Sequence, residues 1–174
     1  MKSILISNLV SGMKLQGFYL CTQKKMRRKK DGSIYLDLLL QDKSGLIRAR
    51  LWDNVESLSK KFDIGNPVAI KGTTYKYGEN IFIKIKNINR ASIEKYAKDE
   101  LSIQELTKLF IDLNMYDHAH TYLQKIIDHD PYNYNAWYFV GLIFQRQEKN
   151  NEAIDAYEYC IAIDEQNTMG QLGK

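Results

Sequence analysis

The sequence predicts a two-domain α+β protein, a five-stranded β-barrel followed by an all-α unit of helical hairpins. Three observations carry that reading. Apolar residues alternate with a period of two through the first half, and the period becomes helical from Asp99 onward. Charge divides at the same place. Residues 1–95 hold 19 Lys/Arg against 8 Asp/Glu, a net +11; residues 96–174 hold 6 against 13, a net −7, which together give the chain's +4. Self-similarity with a 34-residue period runs through the second half alone, with units at 100–133 and 134–167. The expected domains are therefore 1–95 and 96–174.

The 174 residues leave room for one ordinary domain or two small ones. With 44% hydrophobic residues, 26% charged residues and 2 prolines, the composition is globular and excludes a disordered or collagen-like chain. No apolar run is long enough to cross a bilayer, so no membrane partner is expected. The leading MKSILISNLVSG is interrupted by Ser7 and Asn8 and makes a poor secretory signal. Cys21 and Cys160 lie far apart, which points to small buried thiols, no structural disulfide and a cytoplasmic setting. A basic first half favours a polyanionic partner, and an acidic second half would repel one.

Residues 4–10 read as a short strand or turn. Met13–Lys25 is a strand candidate whose Gly17 predicts a bulge or bend. Six cations in the seven residues Lys24, Lys25, Met26, Arg27, Arg28, Lys29 and Lys30 read as the loop before Asp31-Gly32. A hairpin follows. Leu36, Leu38 and Leu40 alternate with Tyr35, Asp37, Leu39 and Gln41. After Asp42-Lys43-Ser44-Gly45, Ile47, Ala49 and Leu51 alternate with Arg48, Arg50 and Trp52. Val55, Leu58 and Phe62 have helical spacing. Pro67–Tyr75 and Ile81–Ile88 are the last two strands, joined by a turn at Tyr77-Gly78-Glu79-Asn80; the final strand carries Phe82, Lys84 and Lys86 on its outer face.

Five strands with a helix between the third and fourth is the order of an OB-fold, a Greek-key barrel. The pattern Asp42-x-Ser44-Gly45-x-Ile47-Arg48-x-x-x-Trp52 resembles the strand–turn–strand core of nucleic-acid-binding OB domains. Those of replication protein A, of some tRNA synthetase anticodon-binding domains and of certain bacterial 3′–5′ exoribonucleases are similar here. Gly65-Asn66-Pro67-Val68-x-x-x-Gly72 resembles the start of the family's fourth strand. The resemblance spans roughly residues 10–90 and implies single-stranded DNA or RNA as ligand.

In the second half, Asn135-Ala136-Trp137-x-x-Val140-Gly141-x-x-Phe144 and then Ala153-x-x-x-Tyr157 resembles the tetratricopeptide (TPR) pattern. Leu106, Phe110, Ala119 and Leu123 take equivalent places in the earlier unit. Small residues at Gly141, Ala119 and Ala153 let helices approach, and Trp137, Phe144 and Tyr157 fill the gaps. The pattern is broken at Glu165 and Glu148, where proline and glycine are usual, and at Thr107. The resemblance implies a protein partner, or a second copy of the chain, held by side chains of the first helix of each pair. These are Gln104, Lys108 and Ile111, then Tyr138, Leu142 and Arg146. With Lys108 and Arg146 the only cations there, a carboxylate clamp is not expected. The apolar face of Ile154, Tyr157 and Ile161 needs a cover, from another chain or from the barrel.

A sheet surface that mixes cations with aromatics suits a nucleic-acid strand, because phosphates want charge and bases want flat partners. The expected ligand-binding set is Lys24, Lys25, Arg27, Arg28, Lys29, Lys30, Tyr35, Arg48, Arg50, Lys76, Tyr77, Phe82 and Lys84. For Arg48 and Arg50 two roles stand side by side, phosphate contact or ion pairs with Asp37 across the hairpin. Trp52 and Tyr35 could stack bases, but Trp52, at a strand end, is read rather as packing on the following helix. His118 and His120 sit two apart on a helix and cannot easily chelate one metal; His129-Asp130 has no further ligands at suitable places. No Walker loop, dinucleotide fingerprint, serine elbow or paired-cysteine motif occurs. The reading is of a non-catalytic adaptor with no cofactor or metal. The alternative is a purely protein-binding module whose basic barrel docks an acidic surface.

Overall fold

The structure is a computed structural model that describes residues 4–92 and 100–172. It divides into two compact units, residues 1–95 and 96–174. The first holds β1 (Lys14–Arg28), β2 (Ile34–Asp42), β3 (Gly45–Leu51), α1 (Val55–Ser59), β4 (Pro67–Tyr77) and β5 (Asn80–Arg90). The second holds α2 (Glu100–Asp112), α3 (Tyr116–His129), α4 (Tyr134–Arg146) and α5 (Asn150–Leu172). The chain is thus an α+β protein with a barrel followed by helices.

The strands close in the order β1-β2-β3-β5-β4, with β4 returning to β1. All neighbours are antiparallel except β3 and β5. This is OB-fold topology. Closure depends on the length of β1. Its first part, Lys14–Leu20, pairs with β4, and its second part, Leu20–Arg28, pairs with β2. The bulge that lets it turn between partners lies between Cys21 and Gln23, not at the expected Gly17, which pairs regularly with Ile70. Alternation sends Leu36, Leu38, Leu40, Ile47, Ala49, Leu51, Ile83 and Ile85 inward. Helix α1 is shorter than expected, but Val55, Leu58 and Phe62 still bury together against that core.

Residues 4–10 form a 3-10 turn, Ile6–Asn8, rather than a strand. The β2–β3 turn holds it there. Asp42 Oδ1 accepts from Ser44 N and Oγ at 2.7 and 2.6 Å, and its Oδ2 accepts from Ile6 N at 2.7 Å. The Tyr19 hydroxyl donates to Ile4 O at 2.6 Å, and burial together with the nearby Asp42 raises its pKa. Cys21 and Cys160 are free and buried. Burial pushes the Cys21 thiol up to about 11, against the opposing pull of Lys24.

In the second unit the second helices of the two pairs start 34 residues apart, at Tyr116 and Asn150. The turns inside the pairs keep the same offset: Asn114 and Glu148 both have positive φ, 56° and 61°. Glu148 therefore adopts the conformation for which glycine was expected. His118 lies beside Phe110 of α2 and His120 beside Phe144 of α4, so the two rings do face different helices.

Two glycines test the packing. A Cβ on Gly72 would lie 2.5 Å from Lys84 O, a backbone atom of the neighbouring strand. A Cβ on Gly141 would lie 2.5 Å from the Tyr157 ring, a side chain of intermediate exposure that can shift. Gly72→Ala should therefore lower the urea-unfolding stability of the barrel by about 1–3 kcal/mol, and Gly141→Ala should cost the second unit less.

Candidate nucleic-acid interface

The outer surface of β1, β2, β3 and β5 is built by register. Lys25 pairs with Asp37, Asp37 with Arg50 and Arg50 with Lys84, so one row crosses four strands. A second row runs from Arg48 to Phe82 and on to Tyr75 of β4. Arg27 lies opposite Tyr35. Pleating puts all these side chains on the face opposite the leucine core.

Asp37 anchors the arrangement. It is only 7% exposed. Its Oδ2 accepts from Arg27 Nε at 3.0 Å and from Arg48 Nη1 at 3.3 Å, and Arg50 Nε stands 3.9 Å from Oδ1. Both roles weighed for the arginines thus bear on one place. They pair with Asp37, yet three cations on one carboxylate leave the patch positive.

Aromatic rings flank the arginines. Tyr35 and Trp52 stack with centroids 4.6 Å apart, and Lys29 Nζ sits 4.6 Å from the Trp52 ring centroid. Tyr75 stacks on Phe82 at 5.7 Å, while Tyr77 meets Phe82 edge-on at 6.1 Å. The Arg50 guanidinium lies between the two groups, 4.6 Å from Phe82 and 5.9 Å from Tyr35. Tyr77 is 66% exposed and offers a free ring face; Phe82 is 6% exposed and does not. Phe82 is therefore a buried support under Arg50, not the open stacking surface expected for it.

The basic run is not a loop. Lys24–Arg28 belong to β1, and only Lys29–Ser33 turn, closed by Lys29 N to Ser33 O at 2.8 Å. Strand alternation separates the cations. Lys24 turns under the barrel, where its Nζ donates to Ser59 O at 2.7 Å, to Phe62 O and, at 3.5 Å, to Asp63 Oδ1. It closes the carbonyl end of α1 and is not available as an open cation. Lys25, Arg27, Arg28, Lys29 and Lys30 are exposed, with Arg28 Nη1 donating to Gly32 O at 3.3 Å. Lys76 is exposed and paired with Glu79 at 3.5 Å, and Lys84 is exposed beside Arg50.

Trp52 stacks on Tyr35 on the outer face, where its parity with Arg48 and Arg50 puts it. Asp37 was read only as a possible ion-pair partner, and nothing in the sequence marks it as the hub of three arginines.

In the second unit, Gln104 Nε2 donates to Asn135 Oδ1 at 3.3 Å, linking α2 to α4. Lys108, Tyr138 and Arg146 are exposed and Leu142 is half-buried. Ile111 is buried in the helix packing instead of lining a groove, because α2 turns it toward the interior of the unit. His129 ends α3, and Asp130 accepts from Tyr132 N at 3.2 Å. Among the described residues no three His, Cys, Asp or Glu side chains are grouped to hold a metal. No described helix is long and apolar enough to cross a membrane.

No family model matches the chain. Among curated proteins it is similar to the 3′–5′ exoribonuclease YhaM of Listeria monocytogenes (strain CLIP80459). The two are 36% identical over 75 residues, 43% of this chain and 23% of that one. With the enzyme of the same name from Listeria innocua it is 37% identical over 62 residues, 36% and 20% of the two chains. The chain thus spans less than a quarter of the length of these relatives. Among solved structures it is similar to the second OB-fold domain of replication protein A from Methanococcus maripaludis. The TM-score is 0.42 at 22% identity, covering 52% of this chain and 96% of that one. It is also similar to PriB from Ralstonia solanacearum, with a TM-score of 0.39 at 14% identity, covering 45% and 97%.

The different uses of two adjacent lysines give a prediction. Lys24→Met should lower barrel stability by about 1.5–3 kcal/mol, the range for hydrogen bonds from a charged donor. Lys25→Met should leave it unchanged. Thermal melts of the two variants make the comparison.

Proposed function

We propose that the chain is a non-catalytic adaptor whose barrel binds single-stranded DNA or RNA and whose helix pairs are TPR repeats that dock a protein. The observation that carries the first part is the continuous outer face. Lys25, Arg27, Arg48, Arg50 and Lys84 lie in register across four adjacent strands, with Tyr35 opposite Arg27, Trp52 stacked on Tyr35 and beside Lys29, and Tyr77 of β4 near Arg50. Cations spaced along a sheet suit a phosphate backbone, and rings between them suit unpaired bases of any sequence. Similarity over part of its length to enzymes named as exoribonucleases favours RNA among the ligands. The second part is supported by the common 34-residue offset of helices and turns. The exposed Lys108, Tyr138 and Arg146 then belong to the docking surface.

Binding of a labelled single-stranded oligonucleotide, RNA or DNA, should weaken linearly in log–log against salt. Arg48→Ala should reduce that slope by about one, as for loss of one phosphate contact. Trp52→Ala should weaken binding by the stacking of one base, about 1–3 kcal/mol. Lys108→Ala and Arg146→Ala should leave binding unchanged. Binding that is absent for both polymers, together with self-association that fades with salt, would favour the protein-binding alternative.

The same oligonucleotides incubated with the full chain and either Mg²⁺ or Mn²⁺ should remain intact on a denaturing gel. Metal-dependent shortening from the 3′ end would overturn the non-catalytic reading.

A further inference from the structure

Arg50 differs from the other two arginines that meet Asp37. Arg27 and Arg48 each donate to Oδ2, at 3.0 and 3.3 Å. Arg50 Nε stops 3.9 Å short of Oδ1, and both of these atoms are buried with no hydrogen-bond partner among the described residues. Two buried polar groups left unpaired this close together are costly, and a small rotation of Arg50 would join them. Four aromatic rings surround the guanidinium. The guanidinium carbon is 4.6 Å from the Phe82 centroid, 5.8 Å from Tyr77, 5.9 Å from Tyr35 and 6.0 Å from Trp52. A flat cation therefore occupies a slot walled by the Tyr35–Trp52 stack on one side and Tyr77 on the other, with Phe82 as its floor.

We propose that this slot is a nucleobase site and that Arg50 is its lid. A base is flat and aromatic and would take the same rings, where stacking is tolerant of sequence. The displaced guanidinium has a place to go. Its Nε moves onto Asp37 Oδ1, and the two unpaired atoms satisfy each other as the base enters. The arrangement also gives Phe82 a role that its burial otherwise denies it, because the ring becomes a stacking surface only when Arg50 leaves. The proposal rests on the nucleic-acid reading and deepens it, assigning to Arg50 a base where the sequence alone offered a phosphate contact or an ion pair with Asp37.

The test compares two labelled single strands by fluorescence anisotropy with the full chain. One carries every base; the other carries an abasic tetrahydrofuran residue at its centre. The ratio of their affinities isolates the base contribution, expected to be roughly tenfold for the unaltered protein. In Arg50→Ala the slot is already open, so the ratio should rise several-fold. Arg50→Lys should raise it too while keeping the salt slope, because a compact, strongly hydrated ammonium leaves the rings more readily than a guanidinium. The lysine variant keeps the charge and guards against a folding defect in the alanine one. Phe82→Ala should bring the ratio toward one, and Arg48→Ala should weaken both strands alike. An unchanged ratio in the Arg50 variants makes Arg50 a fixed phosphate clamp, and a lowered ratio makes its guanidinium the stacking partner; either overturns the lid. If the unaltered protein binds neither strand, the nucleic-acid reading falls and the base site with it.

Discussion

Asp37 lies on the outside of the barrel and is nonetheless buried, because three arginines close over it. Without a carboxylate beneath them, guanidiniums from β1 and β3 would repel each other and splay into solvent. With it, they are drawn into one patch and pressed against the neighbouring rings. A buried anion is tolerated only when it is paired and hydrogen-bonded, and here Arg27 and Arg48 supply that on one oxygen. The central position of β2, between β1 and β3, is what allows cations from both sides to reach it.

The barrel supplies the rigidity that this patch requires. Closure through the two halves of β1 fixes the register of every strand that contributes a ring or a charge. The core of leucine and isoleucine beneath it is continuous, so a slip of one residue would expose apolar side chains and bury arginines. Lys24 belongs to this structural layer. Its neighbours Lys25 and Arg27 belong to the face, and the only thing that separates them is the pleat of the strand.

The helical unit repeats its backbone more faithfully than its chemistry. Positions 34 residues apart share helix starts and turn conformations, yet Ile111 is buried where Gln145 is exposed, and Ile127 is buried where Ile161 is 58% exposed. Phe144 of α4 lies against His120 on α3, so the second pair packs on the first. Tyr157 fills the space that Gly141 leaves open, so the close approach of α4 and α5 depends on a residue without a side chain.

Much of this was legible in the sequence. Alternation alone separated Leu36, Leu38 and Leu40 of β2 from Tyr35 and Asp37, and Ile47, Ala49 and Leu51 of β3 from Arg48 and Arg50, because a strand's two faces are a property of adjacent residues. The 34-residue offset was legible for the same reason: helix periodicity and the small residues at Ala119, Gly141 and Ala153 are local signals. The structure alone decided that Lys24 ends a helix, that Phe82 is covered, that Trp52 stacks on Tyr35, and that three arginines share Asp37. Each of these depends on which distant residue lies opposite across a strand pair, and register is set by the whole closed barrel rather than by any stretch of chain.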